Sequence, residues 1–351
     1  MFRLLICLLS SLLISSGILA QNKLADTESR LKDLASIWLV NAPLKEKLSH
    51  NRQFAKLLIE TLRQPESYEY PFDSLESISM LRAEDNSFRI FTWQILDKQD
   101  TSQYYGNQTH YYFGIVQRKY LNESGETEYI PIPLLEMNEI PPGVENLVLD
   151  DQNWLGGLYY PAKYHESIPT LSFKYYDPKL QDSKGKIKKV KQTFYVLLGW
   201  NGLDNRSNLK FVDVMSFDPE VKDRVIFGAN VFYFDLVPKF RALFKYSEYA
   251  PFSLNYAYVK RGWRKKKMIV YDHLASPKPG ERKLKEIWEM GPDGSYDALS
   301  YEKRGGYFGW FTNVELAEEY NSKINRKEIE EMREKEMARL KEAGIDLSKP
   351  K

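Results

Sequence analysis

The sequence of 351 residues contains a single cysteine, Cys7. It lies in the apolar run 4–13, which follows a basic residue and precedes the small residues Gly17 and Ala20. This order is typical of a secretory signal peptide, so we expect residues 1–20 to be cleaved off after Ala20. The mature chain would then lack cysteine, which excludes disulfides, thiolate catalysis and cysteine metal sites.

Long apolar runs are also missing, since no segment after the leader reaches the roughly 20 residues that span a bilayer. The formal net charge of +2 does not favour a nucleic-acid partner. The basic runs 184–191 and 261–267 each lead into an apolar run, so we interpret them as solvated hairpin ends rather than sites for an anionic polymer. We expect an exported protein, in the periplasm or at the cell surface, whose partner is an envelope protein or a glycan.

The common catalytic motifs are absent as well. The sequence has no His-Glu-x-x-His zinc pattern, no Gly-x-Ser-x-Gly nucleophile motif, and no Walker or Rossmann glycine pattern. A calcium loop that started at Asp293 would need a glycine and a final carboxylate where Ala298 and Arg304 stand. We therefore predict neither a cofactor nor a metal site.

The N-terminal segment 24–64 is predicted to be helical. Apolar residues recur at helical spacing in two stretches that the sequence Asn-Ala-Pro separates. Asp26 or Thr27 would cap the first helix, and Pro65 would end the second. We expect both helices to pack on the sheet that follows.

Residues 68–311 predict an antiparallel β domain. Large apolar and smaller residues alternate in 252–258 with the two-residue period of a strand. The stretch 192–200 is nearly continuous in apolar residues, so we expect a central strand covered on both faces. No long helical pattern lies between the strands, which favours a meander or sandwich-like arrangement over parallel βαβ units.

From 312 to 351 the composition becomes highly charged. Thr312 and Glu315 form a capping box, so we predict a charged helical tail that begins at Thr312. The predicted fold class is thus mainly β, or α+β overall, with two N-terminal helices, antiparallel sheets and a charged C-terminal helix.

The stretch "MGPDGSYDAL" (290–299) contains the most conspicuous pair of carboxylates. Pro-Asp-Gly suits a tight turn, so we predict a hairpin there, with its aspartates serving the bend. The alternative is a hydrolase site, in which Asp293 and Asp297 would meet Asp272 and His273 at the end of a neighbouring strand. For His273 the ordinary expectation is a hydrogen bond to the backbone of its own turn.

Aromatic residues make up 14% of the chain, and 24 of them are tyrosines. Most should fill the strands, where aromatic residues are favoured. Two glycine-containing clusters could instead line a surface groove for a sugar or a protein. The candidate ligand-binding residues in these clusters are Trp154, Tyr159, Tyr160, Tyr307 and Trp310.

The segments "FYVLLGWNGLDNRSN", "IVYDHLASP" and "MGPDGSYD", behind a signal peptide, resemble a family of uncharacterised exported proteins from Bacteroidota. The resemblance covers roughly residues 27–311 and implies an exported location but no activity or catalytic residue. Three functions stay open. The first is a non-enzymatic envelope module that binds through aromatic surface, the second is the hydrolase, and the third is a structural partner that docks through its tail.

Overall fold

The computed structural model describes residues 21–317, apart from 99–107, 166, 182, 184, 205, 235–236, 276–289 and 304. The predicted signal peptide and the tail from 318 onward lie outside the described residues. Among the helices described, none combines the length and apolar character that a membrane span requires.

The described chain is α+β and mostly β, as the sequence predicts. Two helices, α1 (21–36) and α2 (Leu44–Leu62), precede three sheets. Sheet A is a meander of four strands: β1 (Ser79–Arg82), β2 (Phe88–Lys98), β3 (Gln108–Leu121) and β4 (Thr127–Leu134).

Sheet B has seven strands: β5 (Leu149–Asp150), β6 (Leu158–Tyr159), β7 (Thr170–Gln181), β8 (Ile187–Asn201), β9 (Ser207–Phe217), β10 (Val225–Phe227) and β13 (Ala242–Ser247). Sheet C has six: β11 (Phe232–Phe234), β12 (Val237–Lys239), β14 (Leu254–Arg261), β15 (Arg264–Ala275), β16 (Gly291–Glu302) and β17 (Tyr307–Phe311). Among these described strands, the pairings are antiparallel except that of β11 with β17.

The helices and sheets form successive layers. The helices cover one face of sheet A, whose other face packs on sheet B. Sheet B packs in turn on sheet C. An aromatic pair lies at each junction. The ring centroids are 5.2 Å apart for Phe54 and Trp93, between α2 and sheet A. They are 4.7 Å apart for Phe88 and Tyr195, between sheets A and B, and 4.2 Å apart for Phe244 and Tyr271, between sheets B and C.

The central strands β8 and β9 are buried on both faces. In β8, Tyr195 and Leu197 face sheet A, while Val196 and Leu198 face sheet C. Each such side chain contributes about 1.5–3 kcal/mol when fully buried. The expectation that 192–200 is a central strand is confirmed.

The two predicted helix starts are wrong. Helix α1 is already formed at residue 21, and Thr27 lies inside it, with its hydroxyl donating to the Lys23 carbonyl at 2.8 Å. Residues 312–317 are not helical, and Leu316 pairs with Val259 on the edge of sheet C. The capping box is overridden there because Leu316 gains burial on the outer face of this sheet.

A buried ion pair ties sheet B to the loops around it. Arg241 and Asp213 are both fully buried, with Nε 3.2 Å from Oδ2. The guanidinium also donates to the carbonyls of Leu147 at 2.9 Å and Phe227 at 3.2 Å, and to that of Val144. Arg241 therefore satisfies several backbone groups as well as the carboxylate.

We predict that Arg241→Met destabilises the protein by about 3–5 kcal/mol, because it leaves the Asp213 carboxylate buried without its charge partner. Urea unfolding would measure the loss. Lys239→Met is the matched control, since its 3.3 Å pair with Glu145 is partly exposed and should contribute less than about 1 kcal/mol. Equal losses in the two variants would contradict this assignment.

Candidate functional site

The predicted hairpin at 292–294 is wrong, because this segment lies inside β16. The pairing of β15 with β16 shifts between Asp272 and Leu274. As a result, three residues of β16, 293–295, stand opposite His273 alone. The sequence that suits a turn forms an irregular β-bulge with three residues against one, and bulges often re-aim side chains beside functional sites.

Local hydrogen bonds explain the bulge. Asp293 Oδ1 accepts from the backbone N–H of Ser295 at 2.9 Å and from its hydroxyl at 2.7 Å. Gly294 has a φ of 89°, which favours glycine. The Ser295 hydrogen bonds hold the pKa of Asp293 below its usual value, with a further contribution from His273. Asp293 therefore holds the backbone of the bulge and not a hairpin turn, in the segment that stands opposite His273.

The bulge brings His273 and Asp297 together. His273 Nδ1 lies 3.0 Å from Asp297 Oδ2. The Asp297 side chain is 3% exposed, whereas that of His273 is 42% exposed. The other carboxylate oxygen, Oδ1, accepts the backbone N–H of Asn313 at 3.0 Å. Both oxygens of this buried carboxylate are thus engaged.

Asn313 reaches this position because the chain turns sharply after β17. Its φ of 49° lies in the left-handed region, which asparagine tolerates better than most residues. The next residue, Val314, donates its N–H to the Tyr296 carbonyl at 2.8 Å. The turn therefore fixes the donor that holds Asp297 in place.

This pair has the chemistry of a general base. An ionised carboxylate only accepts hydrogen bonds, so Nδ1 of a neutral His273 donates to it and the lone pair stays on the other nitrogen, Nε2. No hydrogen bond among the described residues engages Nε2. The expectation that His273 bonds its own turn backbone is wrong, because the bulge offers it a buried carboxylate.

Asp272 does not join the other three predicted residues. Its Oδ2 accepts the Ser253 N–H at 2.6 Å, and its own N–H donates to the Ser253 carbonyl at 3.2 Å. Burial raises its pKa, while the Ser253 N–H and Lys210 oppose that rise. Asp272 thus hydrogen-bonds β15 to Ser253, in the segment before β14.

A metal is not supported by this arrangement. Within the described part of the chain, no three histidine, cysteine, aspartate or glutamate side chains lie where they could bind an ion together. His273 and Asp297 are hydrogen-bonded to each other, while Asp293 bonds Ser295.

The aromatic cluster at 153–160 lies largely in the interior, although Tyr160 lines a small pocket together with Pro161 and His165. Trp154 and Tyr159 are fully buried, and the indole N–H donates to the Tyr159 hydroxyl at 3.0 Å. Tyr160 is half-buried and donates its hydroxyl to the Leu254 carbonyl at 3.0 Å. These rings fill the space where the sheets meet. In the second cluster Tyr307 is exposed, while Trp310, on β17, is partly buried against the core between sheets B and C.

A second polar cluster was not predicted. His110 stacks on Tyr112 with a centroid separation of 5.9 Å and meets Trp200 edge-on at 5.5 Å. Its Nδ1 lies 2.9 Å from Gln94 Oε1. The Tyr112 N–H donates to Glu136 Oε2 at 2.8 Å.

Burial controls the ionisation of this cluster. It raises the pKa of the Glu136 carboxyl to about 7, although the Tyr112 N–H opposes the rise. It lowers the pKa of the His110 imidazole to about 4. Gly156 and Gly202 make room for these side chains, because a Cβ would lie 2.7 Å from Glu136 Oε1 and 2.6 Å from His110 Nε2. The sequence signal for this cluster is the pair Gly156 and Gly202. From sequence alone, glycines at these positions indicate turns and not space for a neighbouring side chain.

The chain matches no protein family model, no curated protein and no solved structure. The resemblance to exported Bacteroidota proteins thus stays a prediction. Any function has to be argued from the arrangement of the side chains.

We predict that Glu136→Gln raises stability at pH 8 by about 2–3 kcal/mol and has little effect at pH 4. A raised carboxyl pKa gives stability that is fully present below the ordinary value of 4.5 and is lost as the pH rises through about 7. Glutamine keeps the acceptor for Tyr112 without the charge. Urea unfolding at both pH values would measure the difference.

The exposed Glu139 offers the same substitution as a control and should change stability little at either pH. A gain from Glu136→Gln that is equal at pH 4 and pH 8 would show that the carboxyl is not desolvated.

Proposed function

We propose that this protein is a hydrolase whose general base is His273, oriented by the buried carboxylate of Asp297. The observation that carries the proposal is the 3.0 Å contact between Nδ1 and Oδ2, with the carboxylate buried and the imidazole half-exposed. A carboxylate that fixes the tautomer and orientation of an imidazole is the shared part of many acid–base sites.

Water is the nucleophile that fits this site. The hydroxyl of Ser295 lies in the bulge opposite His273, but it already donates its hydrogen bond to Asp293. We therefore assign the attack to water and not to this serine. His273 Nε2 would take a proton from water while its oxygen attacks the substrate carbonyl, and Asp297 would stabilise the resulting imidazolium. The same proton would then pass to the leaving group, so the site is regenerated when the bond breaks.

The charge beside His273 favours a neutral or cationic substrate. Asp293 is exposed and belongs to the three-residue segment of β16 that stands opposite His273. A negative charge at this position would repel phosphate esters and acidic sugars. An ester or an amide is therefore the substrate class that this site favours.

We prefer the hydrolase to the aromatic binding module because two of the five candidate aromatic residues are buried in the core. Of the five candidate aromatic residues, Trp154 and Tyr159 are in the core and Tyr307 is the exposed one. If residues 1–20 act as the signal peptide that their sequence predicts, the hydrolase would work outside the inner membrane.

We predict that His273→Gln lowers kcat/KM by about 10²–10⁴ on the ester or amide that the protein cleaves. Asp297→Asn should cause a loss of up to about 10⁴, because an amide no longer enforces the Nδ1-protonated tautomer. A panel of chromogenic esters and peptide anilides would supply the rates. Thermal melting would show that each variant is folded.

His50→Gln is the matched control, since His50 lies on α2 and its Nδ1 contacts the Glu46 carbonyl at 3.0 Å. It should keep the wild-type rate. Hydrolysis that persists at the wild-type rate in folded His273→Gln, or a panel without any turnover, would count against the proposal.

A further inference from the structure

The hairpin that joins β14 to β15 ends in an exposed tryptophan. Gly262 and Trp263 form its two-residue turn, with a φ of 63° at Gly262. Trp263 is 85% exposed, the highest value among the large hydrophobic side chains that the structure describes as exposed. A single exposed hydrophobic side chain is common on protein surfaces, so the meaning of this one depends on the charges around it.

Cations surround this tryptophan on both strands. Arg261 stands directly opposite Arg264, and Lys260 stands opposite Lys265. Like charges at directly opposed positions of a sheet destabilise it. The full basic set of the hairpin comprises Lys260, Arg261, Arg264, Lys265, Lys266 and Lys267.

The structure describes two ion pairs within this set, from Lys260 to Glu315 and from Lys266 to Glu302. The two arginines at the tip instead contact aromatic rings. The Arg264 guanidinium lies 4.3 Å from the centroid of the Trp263 ring, and that of Arg261 lies 4.5 Å from the Phe311 ring. All residues from 261 to 265 are exposed. The tip therefore presents a flat indole beside accessible positive charge.

We propose that the tip of this hairpin, residues 261–264, binds the surface of an anionic phospholipid membrane. Tryptophan favours the boundary between headgroups and acyl chains, where its ring is dehydrated and its N–H stays in a polar layer. Arginines set beside it would meet the lipid phosphates and relieve their mutual repulsion. Membrane binding would thus dehydrate the exposed indole and also neutralise the opposed charges of the two arginines.

A planar membrane fits this tip better than a charged polymer does. Nucleic acids and acidic polysaccharides are bound along extended basic grooves with several stacking rings. Here one exposed ring stands at the turn between two arginines. The basic hairpin between β7 and β8 differs, because Asp177 stands opposite Lys188 and its turn carries no aromatic residue.

Vesicle co-sedimentation of the full chain tests the proposal. The measured quantity is the partition coefficient on mixed phosphatidylcholine and phosphatidylglycerol vesicles divided by that on phosphatidylcholine alone. All variants share the apolar run 4–13, so its contribution is common to them. We expect the ratio to be well above one for the wild type and to fall with added salt.

Arg261→Gln/Arg264→Gln should lower the ratio about 20- to 30-fold, which is about fivefold for each charge removed. Trp263→Ala should lower binding to the mixed vesicles about fivefold, because the ring no longer enters the interface. Lys188→Gln/Lys189→Gln removes the same charge from the other basic hairpin and should change the ratio less than about twofold.

Equal losses from the two double variants would overturn the proposal, since attraction would then follow net charge and not this tip. An unchanged partition of Trp263→Ala would overturn it as well. Tighter binding to heparin or an oligonucleotide than to the vesicles, unaffected by Trp263→Ala, would assign the tip to an anionic polymer instead.

Discussion

The burial of β8 and β9 on both faces is the constraint on which the rest of the fold depends. Successive residues of each strand face opposite sheets, so neither face can be left open to water without exposing a row of large apolar side chains. Sheets A and C supply the two covers. The helices and residues 314–316 then cover the outer faces of those sheets.

This layering leaves few places for chemistry. Large apolar side chains pack the layer interiors, where Arg241 and Asp213 form a buried ion pair. Functional side chains must therefore lie at strand ends or where pairing breaks. The bulge in β16 is such a break, and it places a buried carboxylate within reach of a half-exposed histidine.

Much of the fold could be predicted from residue patterns. The helices, the alternating strands and the double-sided central strand depend on local periodicity, which sequence shows directly. The turn at Asn201 to Ser207 was also predictable, because Asp204 accepts the backbone N–H groups of Arg206 and Ser207.

Other features depend on contacts between distant segments. Asp293-Gly294 has the same local preferences in a turn and in a bulge, and only the pairing with β15 decides between them. The same limit explains the buried Trp154 and Tyr159, whose glycine-rich surroundings suggested an open surface. Sequence selected His273 and Asp297 as candidates, but the register that joins them could not be read from it.

The most direct test of the central claim is the nitrogen NMR spectrum of the histidine rings, of which the chain has only four. Neutral His273 should carry its proton on Nδ1, and Asp297→Asn should abolish this preference while the other three rings keep their signals. A His273 ring protonated on Nε2, with a spectrum insensitive to Asp297→Asn, would contradict it.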